Sequence, residues 1–364
     1  MNGSFRPKPD LSVIRDDVRA IDAYSVPDSA GLTKLDAMEN PFPLPPEVAR
    51  GLGERLGKVP LNRYPPADPR EFKQKLARSI GLPAGMALLL GNGSDELIHL
   101  VIQSCAKPGA TVLSPWPSFE MYDLASRFDG CRFVGVPLAE DFALERNVLL
   151  ASIAAHRPAV VFVSWPNNPT GNLFDRATVE AILDAAPGLV VLDEAYLPFA
   201  QDTWLPQLAR WPNLLVLRTF SKLGLAGIRL GYLCGDPAWI AEFNKVRPPY
   251  NVNVLTLAAA DFMLDRHALL EQQAAQLRAE RERLLARLRA LPAVTAFDSA
   301  ANFILFRLGG GSDAADRVFA QLKARGILIK NRAHVHPLLA GCLRVTVGTA
   351  AENDAFLAAL TASL

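Results

Sequence analysis

Cysteine is scarce in this sequence, and its placement excludes two kinds of small scaffold. The four residues, Cys105, Cys131, Cys234 and Cys342, lie far apart with no CxxC pair. That spacing argues against a disulfide framework and against a zinc site, and points to buried free thiols in a reducing compartment. Net charge is lacking too. The 38 basic residues face 37 acidic ones for a formal charge of +1, with no run of one sign. Neither nucleic acid nor an anionic membrane is therefore an expected partner. No uninterrupted apolar stretch approaches the ~20 residues needed to cross a bilayer, and Met1 to Asp17 contain no apolar signal-peptide core. The expectation is a soluble, cytoplasmic protein. Internal repeats and low-complexity segments are also missing.

What is present is ordinary globular material. The chain has 364 residues, 50% hydrophobic and 21% charged, enough for a real core and too long for one small domain, so two domains are expected. A polar arm leads into Pro-rich Asn40 to Pro46 and a loop at Asn62 to Pro66. From about residue 70, helical patterns alternate with short apolar runs: Thr111 to Leu113, Arg132 to Val136, Val160 to Val163, Leu189 to Leu192, Leu214 to Leu217 and Gly231 to Cys234. Continuous apolar strands separated by helices predict a mostly parallel sheet buried on both faces, an α/β domain. The stretch His267 to Leu291 places Leu277, Leu284, Leu285 and Leu288 at helical spacing and predicts a connecting helix. Phe303 to Phe306, Ile327 to Ile329 and Leu343 to Val347 then predict a smaller α+β domain.

Ligands of such sheets gather at the carboxyl ends of strands, and four polar motifs fall there. Gly91 to Glu96 (GNGSDE) follows an apolar run and opens a helix. Ser94 is placed to cap it, with Asp95 and Glu96 in the first turn. Free N–H groups and glycines there suit a phosphate, although alone the motif reads equally as a capped helix. Ser164 to Gly171 (SWPNNPTG) is either a stiff turn or a mount for the Asn168 amide against a ring oxygen. In Val190 to Tyr196, Asp193 closes a buried apolar strand, which is costly without a cationic partner. A protonated pyridine nitrogen would be one, a structural ion pair another. Arg218 to Arg229 (RTFSKLGLAGIR) sets Lys222 among small and apolar residues, where desolvation makes an amine nucleophilic. Thr219, Ser221 and Arg229 add groups suited to a phosphate monoester.

The order GNGSDE, NNPTG, DEAY, TFSK…R resembles the fold-type I, class I/II pyridoxal-phosphate (PLP) aminotransferases over nearly the whole chain. Glu39 to Pro41, Arg63 to Pro65, Arg247 to Asn253, Ala301 to Phe303 and Arg344 to Thr349, with Glu352 and Asn353 behind, resemble the histidinol-phosphate aminotransferases in particular. The resemblance implies a fold-type I PLP-transferase, with residues 1–40 as an arm or lid joining the small domain and 41–266 as the large PLP-binding domain. Residues 267–291 become the connecting helix and 292–364 the small domain. It implies that Lys222 carries PLP as a Schiff base and moves the substrate proton, and that Asp193 pairs with the pyridinium nitrogen. Asn168 and Tyr196 would bond the phenolic oxygen, and Phe119 would stack on the ring. Ser94, Asp95, Thr219, Ser221 and Arg229 would hold the phosphate, with Tyr64 reaching it from the other subunit of a homodimer. Tyr24, Asn168, Lys330, Arg332 and Arg344 would meet the substrate, Arg344 as the fork for a carboxylate from within an alternating strand.

Three departures stand out. Six residues separate Lys222 from Arg229 where many relatives have seven, so the loop must turn tighter; Met38 replaces a common Asn; and Lys330 stands for an Arg. The implied reaction is transamination between histidinol phosphate and 2-oxoglutarate, giving imidazole-acetol phosphate and glutamate. Aromatic amino-acid transamination, or a PLP lyase similar to threonine-phosphate decarboxylase, would use nearly the same motifs.

Overall fold

Val, Ile, Leu and Phe fill the short apolar runs, and such residues pack well on a pleated surface covered from both sides. The computed structural model describes residues 9–23 and 27–364. Strand β1 (Thr33–Lys34) lies in the arm. The next seven are β2 (Ala87–Gly91), β3 (Thr111–Trp116), β4 (Arg132–Pro137), β5 (Val160–Ser164), β6 (Leu189–Asp193), β7 (Leu214–Thr219) and β8 (Gly231–Gly235). They form one sheet in the order β2-β8-β7-β6-β5-β3-β4. Every neighbouring pair is parallel except those of β8, which runs against both β2 and β7. Ser164 is paired with Asp193, and Gly231 with both Thr219 and Gly91. The carboxyl ends of β2, β5, β6 and β7 and the start of β8 therefore share one edge.

Alternate residues of the central strands enter different cores. Val191, Leu215 and Leu233 pack with Leu97, Ile98 and Val101 of the helix Ser94–Cys105 on one face. Val190, Leu192 and Val216 pack with Val179, Ile182, Trp204 and Met263 on the other.

The rest of the chain builds β9 (Val294–Ala296), β10 (Phe303–Leu308), β11 (Ile327–Leu328), β12 (Lys330–Asn331) and β13 (Cys342–Thr346). An antiparallel sheet runs β12-β13-β10-β9, while β11 pairs in parallel with β1. The run Ile327 to Ile329, expected as one strand, pairs with the arm only through Ile327 and Leu328, and the chain enters the second sheet at Lys330. The strand around Arg344 is also not half-solvated: every residue of β13 is buried. Leu343 and Val345 enter the C-terminal core under the helix Gly311–Ala324, whereas Cys342 joins the core of the large sheet. Arg344, two residues on from Cys342, faces the large sheet's side. The long helix His267–Arg289 links the two cores, with Leu270 in the first and Leu277, Leu284 and Leu288 in the second.

The arm is tied down by backbone bonds. Leu35 N–H donates to Leu328 O at 2.7 Å and Leu35 O accepts from Thr346 N–H at 2.8 Å. The Met38 N–H donates to Thr346 Oγ1 at 2.9 Å, and Asn302 Nδ2 donates to Met38 O at 3.0 Å. Leu35 is buried in the C-terminal core. No helix among the described residues is long and apolar enough to cross a membrane.

Candidate active site

The shared strand edge opens into a cavity of about 220 Å³ whose lining includes Ala37, Met38, Ser94, Asp95, Phe119 and Asn168. Asp193, Tyr196, Thr219, Ser221, Lys222 and Arg229 complete its functional wall. Ten of the candidate cofactor and catalytic residues named from the sequence therefore meet in one place.

One end is a cradle of donors. Gly93 takes the left-handed turn (φ +83°) and caps the helix, so Ser94 is its first residue and not its cap as expected. A glycine accepts that φ without strain, and the N–H groups that follow stand at a positive helix terminus. The cradle has no room for side chains beneath it: a Cβ at Gly231 would lie 2.7 Å from Ser94 N, and one at Gly93 2.7 Å from Arg229 Nη2. The shortened loop resolves into two 3₁₀ turns, Ser221–Leu223 and Ala226–Ile228, with Gly224 and Arg229 at positive φ. That path brings Arg229 Nη1 to 3.4 Å from Ser221 Oγ and Nη2 to 3.4 Å from Asp95 Oδ2. Thr219 Oγ1 is 3.0 Å from Ser221 Oγ.

Asp193 is buried at the end of β6, and its partners are neutral: Tyr122 Oη donates to Oδ2 at 2.8 Å and Ala195 N–H donates to Oδ1 at 3.1 Å. Burial pushes its carboxyl up to about 6, against the opposing pull of the Tyr122 hydroxyl. A buried carboxylate bonded only to neutral donors suits a cation held in the cavity. The other member of the DEAY motif behaves differently. Glu194 is paired with buried Arg218 at 2.9 Å and accepts from Thr203 and Trp204 N–H, a satisfied structural pair that leaves Asp193 as the member of the motif facing the cavity.

Lys222 keeps some surface as a residue, but its amine lies deep in the cavity and donates to Ala37 O at 3.0 Å. Burial, reinforced by the charge of Arg344, brings it down to about 8. Tyr196 is buried and its hydroxyl is pushed upward by desolvation, so it remains a proton donor. Asn168 Nδ2 donates to Tyr196 Oη at 3.1 Å while its Oδ1 accepts from Arg344 Nη1 at 2.5 Å. Arg344 Nη2 also donates to Asp36 O at 3.0 Å. Asn167, which precedes Asn168, is structural, bonded to Ser118, Pro117 O and Thr170.

Donors for a phosphate at one end, a carboxylate for a ring cation, Phe119 on the wall and a depressed lysine amine make the residues fit PLP. Lys330 is paired with Arg344 across β12 and β13, and burial, then Arg332 and Arg344, lower its ammonium. Arg332 is buried and bonded to Glu120. Tyr64 is not among the cavity residues; it is exposed and stacks on Tyr250 at 4.7 Å between ring centroids. Tyr24 lies outside the described residues. The sequence reading missed Tyr122, Glu120 and the backbone of Ala37. Tyr122 had a signal, since it stands three residues after Phe119 at helical spacing.

The model of the class I and II aminotransferases matches residues 30–360. Histidinol-phosphate aminotransferase 2 of Cupriavidus pinatubonensis is 57% identical over 357 residues, covering 97% of this chain and 96% of that protein. Histidinol-phosphate aminotransferase 1 of Ralstonia nicotianae is 54% identical over 374 residues, covering 100% and 99%. Among solved structures, that of histidinol-phosphate aminotransferase from Sinorhizobium meliloti in complex with pyridoxal-5'-phosphate gives a TM-score of 0.86 at 27% identity, covering 97% and 98%.

Proposed function

The chain belongs to the class I and II aminotransferase family, and from that premise we propose that it uses PLP to move an amino group between histidinol phosphate and 2-oxoglutarate, in histidine biosynthesis. The observation that carries this reading is the single bonded line from cofactor wall to substrate fork, Tyr196–Asn168–Arg344. The relatives at 54% and 57% identity over nearly full length support the substrate.

When bound, PLP supplies an electron sink for the charge developing at the substrate carbon. Asp193 keeps the proton on the ring nitrogen, its burial making it a poor carboxylate until that cation arrives. Asn168 and Tyr196 donate to the phenolic oxygen, and Phe119 covers a ring face. The N–H groups of Ser94 and Asp95, with Thr219, Ser221 and Arg229, hold the phosphate, and Tyr64 of the partner subunit completes that end in a cytoplasmic homodimer. Lys222 would be the nucleophile that holds the cofactor, and its amine, when free, would take up the proton lost from the substrate Cα. With its value near 8, roughly one amine in ten is already neutral at pH 7.

Histidinol phosphate has no carboxylate and glutamate has no phosphate, so one anion end must accept both. Arg344 offers a planar fork that suits either group, with Lys330 and Arg332 beside it. The test is a half-reaction assay that follows pyridoxamine phosphate from histidinol phosphate, phenylalanine, tyrosine and threonine phosphate in parallel. Amination by histidinol phosphate with the highest kcat/KM, and glutamate formed one for one from 2-oxoglutarate, is the expected outcome. Preference for an aromatic amino acid, or carbon dioxide release without glutamate, refutes the substrate.

A further inference from the structure

Three cations crowd the anion end of this site. Lys330 and Arg344 are directly opposite on an antiparallel pair, which puts both side chains on one face. Arg332 follows two residues later, buried, with its Nε left without a hydrogen-bond partner among the described residues. Two carboxylates belong to the group. Asp36 is buried in the arm, and Glu120 reaches across from the large sheet's side to accept from Arg332 Nη2 at 2.9 Å. Glu120 directly follows Phe119 of the cavity wall and keeps a third of its side chain exposed. It is therefore a counter-charge attached to the cofactor side and set against the substrate-binding cations.

Resting on the function proposed above, we infer that Glu120 determines specificity by charge: it levels the affinities of the dianionic phosphate substrate and the carboxylate co-substrate. A phosphate monoester carries close to two negative charges above pH 7, and the carboxylate that takes its place carries one. A fixed negative charge nearby opposes a dianion twice as strongly, in free energy, as a monoanion. Without Glu120 the three cations would hold phosphate far more tightly than carboxylate. One half-reaction would then be starved and the phosphorylated product retained.

The experiment uses matched probes at pH 8, phenyl phosphate and benzoate. Each is measured by calorimetry on the PLP-loaded protein and as a competitive inhibitor. Glu120→Gln removes the charge and keeps the shape. Phenyl phosphate is expected to bind about ten-fold tighter and benzoate about three-fold tighter, the two-to-one ratio of logarithms following from charge. KM for histidinol phosphate and 2-oxoglutarate should split the same way, with kcat moving less. Glu120→Asp retains the charge and restores wild-type discrimination, and Glu120→Ala carries the same expectation as Gln should the latter fold poorly. Equal gains for both probes overturn the inference, because Glu120 would then not sense anion charge. Weaker binding of both also overturns it, leaving Glu120 as a clamp on Arg332. Should wild-type protein ignore histidinol phosphate while the probes still split, the function reading fails and only the charge discrimination by Glu120 stands. Normal turnover of histidinol phosphate with no split is the reverse case.

Discussion

Replacing Tyr122 by Phe deletes one hydroxyl and leaves the ring that stacks on Phe162 at 4.6 Å. The lost bond is the 2.8 Å donation to Asp193 Oδ2, which leaves the carboxylate with the Ala195 N–H. A hydrogen bond to a charged group contributes roughly 1.5–3 kcal/mol, or about 1–2 pKa units. In the cofactor-free protein Asp193 titrates near 6, so the variant should titrate at roughly 7–8. The sign follows from which form binds PLP. The pyridinium needs the ionised carboxylate, and at pH 7 the variant holds half or more of Asp193 protonated, so binding must first expel that proton. Cofactor affinity should fall about two- to ten-fold at pH 7. Above about pH 9 both proteins carry an ionised Asp193 before and after binding, and the difference should vanish. The assay is PLP affinity by fluorescence titration of the cofactor-free proteins at pH 6, 7, 8 and 9, with infrared difference spectra following the carboxyl. A loss of affinity constant across that range would refute the reasoning.

Lys222→Ala should remove the borohydride-reducible adduct, and in cofactor-free wild type Lys222 should label with trinitrobenzenesulfonate at half-maximal rate near pH 8; an adduct surviving in the variant would move the nucleophile elsewhere. Gly231→Ala puts a Cβ 2.7 Å from Ser94 N, against backbone that cannot give way locally, so PLP affinity should drop at least about ten-fold, with a stability loss of roughly 1–3 kcal/mol. Equilibrium dialysis and a denaturant series check both, and unchanged PLP affinity would dismiss the cradle. Mixing Lys222→Ala chains with Tyr64→Ala chains should regain activity above either parent, because hybrid dimers have one site with both residues native. No recovery despite demonstrated exchange would confine Tyr64 to its own chain or to a structural role.

The sequence exposed the elements whose chemistry is local. The apolar runs of β5, β6 and β7 are buried on both faces, so their composition alone identifies them, and the polar residue that ends each run marks the cavity edge. Lys222, Asp193 and Asn168 were legible for that reason. Strand β1 was not, since Thr33 and Lys34 have no pattern of their own and pair in a sheet with the distant β11. The Ser94 cap was misplaced because two glycines precede it and only the backbone decides which one turns. Glu120 was hidden for another reason: its partner Arg332 is 212 residues away, and no spacing rule connects them. Tyr122 resembled an ordinary core aromatic, and only the fold shows that its hydroxyl ends on Asp193.

The pairing of β1 with β11 has a consequence for the order in which the protein is made. Thr33 must wait for Ile327, roughly 300 residues later, which at about 5–20 residues per second is about 15–60 s of synthesis. The large sheet, complete by Gly235, can close on itself during that interval. Ala37 and Met38, however, reach the cavity only when the last segment emerges and captures the arm. A ribosome-bound chain thus displays its lysine before the carbonyl that receives it has a fixed position. A segment translated early is thus seated late.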